Sequence, residues 1–297
     1  LEFAPDAMVI TDRSGTILLV NGQTEALFGY RREELLGKQL EVLLPERFRG
    51  GHVGHRAGYF AAPRPRTMDE NLDLYGRRKD GAEFPIAVSL GSLKTNEDSL
   101  VSAAVRDVTQ RKEQEARVMR LNRVYAVLSG INTTIVRTRD RQKLFEEACR
   151  IAVEHGGFRM AWIGLLEPNG VDVTPAARAG FDEGYLDQIR LTAREGVADC
   201  CPLVARALRG NAPIVCNDIG SDARMARWRE EALARGYRSL VVFPLQVGGK
   251  MAGLFLLYAP VKDFFDTEEM KLLAEIAGDV SFALDHIEKE ERLDYLA

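Results

Sequence analysis

The stretch LPERFRGGHVGH, Leu44 to His55, places two imidazoles three residues apart, His52 and His55, in a chain with only four histidines. Two nitrogen ligands alone hold a metal weakly, and no third ligand presents itself nearby, so no metal site is expected. The four cysteines, Cys149, Cys200, Cys201 and Cys216, all lie in the second half. None forms a CxxC pair or stands beside a His at zinc-ligand spacing, which argues against a disulfide framework and a structural zinc site. Vicinal thiols such as Cys200 and Cys201 suit redox chemistry when a lowered pKa makes one a thiolate; otherwise they pack as small hydrophobes. No Walker loop and no nucleophile–base–acid set is present, so the chain itself is expected to catalyse no reaction.

Length and composition set the frame for these residues. A chain of 297 residues has room for two ordinary domains, each with its own core. It is 46% hydrophobic and 28% charged, with a formal net charge of −4, a balance that advertises neither nucleic acid nor an anionic membrane as partner. The longest apolar run, Met251 to Pro260, is far short of the roughly 20 residues that span a bilayer, and no signal peptide opens the chain. A cytoplasmic location is expected. Leu1 is not an initiator Met, and EKEERLDYLA, Glu288 to Ala297, reads as helix without a terminating Gly, Asn or Pro, so the natural chain is expected to continue.

The first third reads as short strands around a helical middle. MVITD and TILLVN flank the turn sequence DRSG, as a hairpin would, and QTEALFGY and REELLGKQL carry apolar residues at helical spacing. A Gly/Pro-rich patch runs from Arg49 to Pro65, after which NLDLYG, EFPIAVSLGSL and LVSAAVRDVT supply three more strands. Five strands with helices after the second give an α+β antiparallel sheet. With DRSGTILLVNGQTEALFGYRREELLGK, GRRKDGAEFPIAVSL and RDVTQRK in that order, residues 1–109 resemble a PAS sensor domain. The resemblance implies a five-stranded sheet cupping a small cavity, with signal leaving through the helix after Asp107-Val108-Thr109.

That helix is also predicted from the residues: Gln110 to Leu128 contains no Gly or Pro, and Val118, Leu121, Tyr125 and Leu128 repeat at spacings of three and four. Such a seam suits a parallel two-stranded coiled coil, and equally an amphipathic helix packing on its own domain. Residues 110–132 are read as this linker helix. Next, DRQKLFEEACRIAVEHGGF predicts a capped amphipathic helix, and RMAWIGLLE, GVDVTPAARAG, APIVCND, SLVVFPLQV and KMAGLFLLYA predict strands, the last two joined by Gly248-Gly249 as a hairpin. These segments resemble a GAF domain, assigned to residues 133–265, although GVADCCPLV stands where relatives carry a Gly-Pro-rich turn. Residues 266–297 form a final helix with an Asp266/Glu269 capping box, and Ile276, Val280, Ala283 and Ile287 keep a three/four rhythm along it.

The two resemblances add expectations about sites. His52 lies seven residues after Pro45, the spacing at which haem-binding PAS domains present their proximal His, which makes haem a candidate cofactor; the position where such domains contact bound oxygen with an Arg is Leu72 here. PAS domains without haem share the pattern, and a surface or helix-capping His is the alternative. A flavin adduct is disfavoured because residues 1–148 contain no Cys, and a bilin because no His stands beside Cys200-Cys201. The cyclic-nucleotide signature of GAF domains is missing. Trp162, Cys200, Asp218 and Trp228 fall where the resemblance puts core and cavity wall. EERLDYLA resembles the connector entering a GGDEF cyclase domain, with a histidine-kinase dimerisation helix as competitor. The chain is thus expected to be a sensory module that binds an unknown small ligand. It would act as a homodimer seamed by Val118, Leu121, Tyr125, Leu128, Ile276, Val280 and Ile287, and regulate a C-terminal output through cyclic di-GMP signalling. A dimerisation scaffold, a haem-based gas sensor through His52 and the input region of a histidine kinase are the alternatives.

Overall fold

The computed structural model describes residues 1–61, 66–68, 73–94, 99–188, 191–192, 194 and 201–296. It divides into two compact units, Leu1–Ala116 and Arg117–Ala297. Cys200 and Leu72 lie outside the described residues.

The first unit runs β1 (Ala7–Thr11), β2 (Ile17–Val20), α1 (Gly22–Phe28), α2 (Arg32–Leu35), a 3-10 turn (Leu40–Leu43), α3 (Glu46–Ala61), β3 (Arg66–Met68), β4 (Tyr75–Arg77), β5 (Glu83–Lys94), β6 (Ser99–Asp107) and the start of α4 (Thr109–Arg137). The sheet is antiparallel in the order β2-β1-β6-β5-β3, and β4 pairs with β5 further along it. β3 and β4 meet successive parts of β5, so the described strands fill five positions across the sheet. Its core gathers Val9, Ile17, Val20, Phe28, Leu35, Leu43, Phe84, Ile86, Ala103 and Val105.

Asn21, fully buried, holds the front of this unit together. Its Oδ1 accepts from Met8 N (2.9 Å) and from Thr24 N (3.1 Å) and Oγ1 (3.0 Å), which caps α1 and fixes β1; its Nδ2 donates to Asp6 O (2.9 Å). The Gly/Pro-rich patch is a correction to the sequence reading, because most of it is α3. Four glycines there cost roughly 1 kcal/mol each relative to Ala, but side-chain anchors offset them: Arg49 donates to Leu44 O, Arg47 pairs with Glu83, and His52 and Arg56 reach Glu41. Gly15, at φ +85°, lets the Arg56 guanidinium lie where a Cβ would stand.

The second unit adds to α4 the elements α5 (Arg141–Gly156), β7 (Met160–Leu166), β8 (Asp172–Gly180), α6 (Tyr185–Gln188), β9 (Leu191–Thr192), α7 (Pro202–Gly210), β10 (Ile214–Cys216), α8 (Arg229–Ala234), β11 (Ser239–Val247), β12 (Lys250–Ala259) and α9 (Thr267–Leu296). The sheet order is β10-β11-β12-β7-β8-β9, all antiparallel. Gly248 and Gly249 turn the β11–β12 hairpin at φ +58° and +74°, the left-handed pair a two-residue turn needs.

Both faces of this sheet are buried, which explains why β11 and β12 read as unbroken apolar runs. Val241, Phe243, Leu245, Phe255, Leu257 and Ala259 face a core shared with α4, α5 and α9. Their alternates Leu240, Val242, Leu254, Leu256 and Tyr258 face a second core with Met160, Trp162 and α7. Within the first of these cores lie Val124, Val127 and Ile131 of α4 and Ile276, Val280, Ala283 and Ile287 of α9. The expected seam on α9 is thereby corrected: its three/four rhythm is spent inside the chain. Alanine in place of Asn21 is expected to destabilise the first unit by about 2–4 kcal/mol in urea unfolding, because it strips the α1 cap and leaves Met8 N–H buried without a partner.

Candidate functional site

The second core encloses a cavity walled by Tyr185, Cys201, Val204, Met225, Trp228, Leu240, Leu256 and Tyr258, with room for about one water-sized guest (≈10 Å³). Strand register brings Leu240, Leu256 and Tyr258 to it, α7 supplies Val204, and the 3-10 turn Ala223–Met225 and the residue capping α8 supply Met225 and Trp228. Tyr185 crosses Tyr237 and Tyr258 edge-on, with ring centroids 5.4 Å and 5.8 Å apart. Burial pushes the Tyr185 and Tyr258 phenols well above their ordinary range. Trp228 is 8% exposed and its Nε1 is buried with no hydrogen-bond partner.

Charges near the cavity are held elsewhere. Arg235 pairs with Glu231 at 2.6 Å and donates to the carbonyls of Asp182 and Glu183. Arg224 is fixed on Asp222, whose carboxyl this guanidinium holds far below the usual range.

Of the residues singled out from sequence, Trp228 lines the cavity and Trp162 is buried in the same core. Asp218 does not line it: its carboxylate accepts from Gly220 N–H and Ser221 Oγ and pairs with Lys262 at 2.8 Å, which orders the loop after β10. Cys201 is a wall residue, Cys149 is buried with its thiol pushed well up by burial, and burial followed by the Asp222 hydrogen bond pushes Cys216 up to about 12. Neither Cys149 nor Cys216 has the lowered pKa of a redox thiol. The tyrosines and Met225 were not singled out beforehand. For Leu240, Leu256 and Tyr258 the signal was present as the period-two alternation of β11 and β12; for Tyr185 and Met225, on short loop elements, there was none.

On the opposite face, α4 and α9 are laced by ion pairs: Arg117 with Glu268, Arg120 with Asp266 at 3.6 Å, Arg123 with Glu269, and Arg139, just past α4, with Glu290. Early residues meet early and late meet late, so the helices run parallel. Glu269 is fully buried, and its Oε2 faces Asp266 N as the capping box predicts. The Arg123 guanidinium stacks 4.0 Å from the Phe264 ring. Burial raises the Glu269 carboxyl above its ordinary range, opposed by the Arg123 charge.

Of the expected seam on α4, Val118 and Tyr125 are 56% and 53% exposed, whereas Leu121 and Leu128 are half-buried. Met119, Val136, Phe282 and Leu293 are exposed large apolar residues that the seam omitted.

In the first unit, His52 Nδ1 lies 2.9 Å from Glu41 Oε1, and Arg56 binds the same carboxylate at 3.2 Å. Burial would raise the Glu41 carboxyl, but the His52 hydrogen bond and the Arg56 charge outweigh it and hold it low. The side chains of α3 drawn in from solvent include Arg49, His52, Arg56 and Tyr59, a face bearing two guanidinium groups where a porphyrin needs an apolar wall. His52 is engaged by Glu41 and holds α3 to the 3-10 turn. At the exit, Asp107 accepts from Thr109 N and Oγ1 to open α4 and pairs with Arg78 at 2.9 Å, and Arg78 lies 4.0 Å over the Phe84 ring.

The family model described as a PAS domain matches residues 5–110, and the one described as a GAF domain matches 138–285. The chain is a PAS domain followed by a GAF domain. It is 31% identical over 191 residues to the sensor protein FixL of Bradyrhizobium diazoefficiens, covering 64% of this chain and 37% of FixL. It is also 28% identical over 115 residues to the cell-division control histidine kinase PdhS of Brucella ovis, covering 39% and 11%. The chain therefore spans little more than a third of the length of FixL and about a tenth of PdhS. The GAF domain of a phosphoenolpyruvate-protein phosphotransferase from Coxiella burnetii superposes with a TM-score of 0.48 at 14% identity, covering 58% of this chain and 98% of that one. Among the described residues, no helix is long and apolar enough to cross a membrane.

Removal of the Arg123 guanidinium is expected to leave Glu269 as an unpaired buried charge in the GAF domain. Arg123→Ala should cost about 2–3 kcal/mol at pH 8. Because burial already favours the protonated carboxyl, the deficit should shrink as pH falls toward 5 and grow as it rises, as read from thermal unfolding across that range.

Proposed function

We propose that this PAS–GAF module is a ligand-sensing input that passes its state through α4 and α9 to a C-terminal output, itself regulating rather than catalysing, in the cytoplasm. The observation that carries the reading is the sharing of β11 and β12 between the cavity and the helices. Leu240 and Leu256 wall the cavity while their chain neighbours Val241 and Leu257 pack against α4, α5 and α9. A guest that spreads the cavity wall must shift the strands on which those helices rest. The similarity to FixL and PdhS supports a histidine-kinase output over the diguanylate cyclase suggested by EERLDYLA. Mass spectrometry of the denatured, purified protein tests the sensing reading: a stoichiometric copurifying small molecule is expected, displaced by bulky substitutions at Leu256, and its absence from protein purified under native conditions would count against ligand gating.

The module acts as a parallel homodimer, through a seam that keeps Val118 and Tyr125 of the sequence pattern and replaces its buried members with Met119, Val136, Phe282 and Leu293. Among the described residues of the second unit, six of the eight exposed large apolar side chains stand on α4 and α9: Val118, Met119, Tyr125, Val136, Phe282 and Leu293. Val136 and Phe282 line one groove between the two helices. With Asn132 falling seven residues after Tyr125 and fourteen after Val118, the heptad places a polar group where it sets register and helix orientation. Tyr125→Asp and Phe282→Asp are each expected to weaken self-association at least tenfold by analytical ultracentrifugation while leaving the melting temperature nearly unchanged. Ile287→Asp should instead lower the melting temperature, since Ile287 is core.

A further inference from the structure

The GAF cavity has walls of one chemical kind. Three of its eight lining residues are aromatic (Tyr185, Trp228, Tyr258), one is a thioether (Met225), and among the described residues no charged side chain lines it. Charged groups packed around it include Arg235, held by Glu231 and three carbonyls, Arg224, held by Asp222, and Arg227, whose guanidinium lies 5.0 Å from the Trp228 ring. Tyr237, packed against both wall tyrosines, donates to Phe181 O. Among the described wall residues, the Trp228 indole N–H is buried without a hydrogen-bond partner. A buried donor without an acceptor costs about 1–3 kcal/mol, and a ligand that supplies the acceptor recovers it.

We infer that the cavity takes an uncharged, single-ring aromatic molecule carrying one hydrogen-bond acceptor, which meets the Trp228 N–H while its ring packs among Tyr185, Tyr258 and Met225. This rests on the reading of the cavity as the sensing site and narrows it. An anion is rejected because no cation among the described wall residues offsets the loss of its hydration. A phosphate-bearing nucleotide is excluded on the same ground. The present space holds about one water, so the guest enters by displacing a wall side chain. Met225, unbranched and on a 3-10 turn of three residues, is the wall element best able to move.

Benzamide and benzoate, nearly equal in shape and differing in charge, separate the alternatives. Both tryptophans of the chain, Trp162 and Trp228, lie in the core around the cavity, so their fluorescence reports its occupation, and calorimetry supplies affinities. Benzamide is expected to bind saturably with a change in tryptophan emission, and benzoate to give no signal at the same concentrations. Trp228→Phe keeps the ring and removes the N–H; it should weaken benzamide about 3- to 10-fold, the range of one hydrogen bond, in protein whose circular dichroism matches the wild type. Met225→Ala opens the wall and should tighten benzamide binding, which keeps the test alive if Trp228→Phe misfolds. Benzoate binding as tightly as benzamide, weakened by Trp228→Phe, would overturn the ligand class and leave the sensing site standing. Failure of both probes with the wild type and Met225→Ala, together with no copurifying molecule, would overturn the class and the sensing reading together.

Discussion

Leu240 and Val241 are adjacent in the chain, yet one faces the cavity and the other faces helices that enter and leave the domain. The same is true of Leu256 and Leu257. This period-two alternation in two central strands is the constraint from which the arrangement of the second unit follows, because it forces one sheet to serve two cores at once. Neither core can be repacked alone. A volume change on one side is transmitted as backbone displacement to the other, since close-packed interiors absorb little strain locally. The alternation thus ties the two cores into one mechanical unit.

The helices on the far face are held by a different physics. Apolar burial of Val124, Val127 and Ile131 on α4 and of Ile276, Val280 and Ile287 on α9 fixes their distance from the sheet. Guanidinium–carboxylate pairs fix how far one helix can slide along the other. The exposed pairs contribute little to stability individually. Arg123 and Glu269 are different: the carboxylate is fully buried and doubles as part of the α9 cap, so sliding α4 by a turn would strand it. The ion pairs act as register marks, and burial supplies the adhesion.

Much of this was readable from the sequence, and the boundary of what was readable is itself physical. Strands and helices with strong periodicity, such as β7, β11, β12 and α5, came directly from apolar spacing, and the Asp266/Glu269 box marked the start of α9. α3 was hidden because its glycines carry no helical signal; it is held by Arg47, Arg49, His52 and Arg56, whose partners Glu83, Leu44 and Glu41 lie 36, 5 and 11 or 15 residues away. The α9 seam was misplaced for the opposite reason. A three/four rhythm says that one helix face is apolar and not what covers it, and here the cover is the domain's own sheet. In the cavity, Trp228 was found by type and Tyr185 was missed, since a lone tyrosine on a one-turn helix looks the same in sequence whether it is wall or surface.

Because α4 and α9 run side by side in the same direction, the chain leaves the GAF fold travelling the way it came in. The whole of β7 to β12 is, in topological terms, an excursion between two helices that share one heading. A domain with that polarity can be spliced into a helical stem, duplicated there or deleted from it without reversing the stem. A second copy joined end to end through such helices would inherit an axis already laid down by the first.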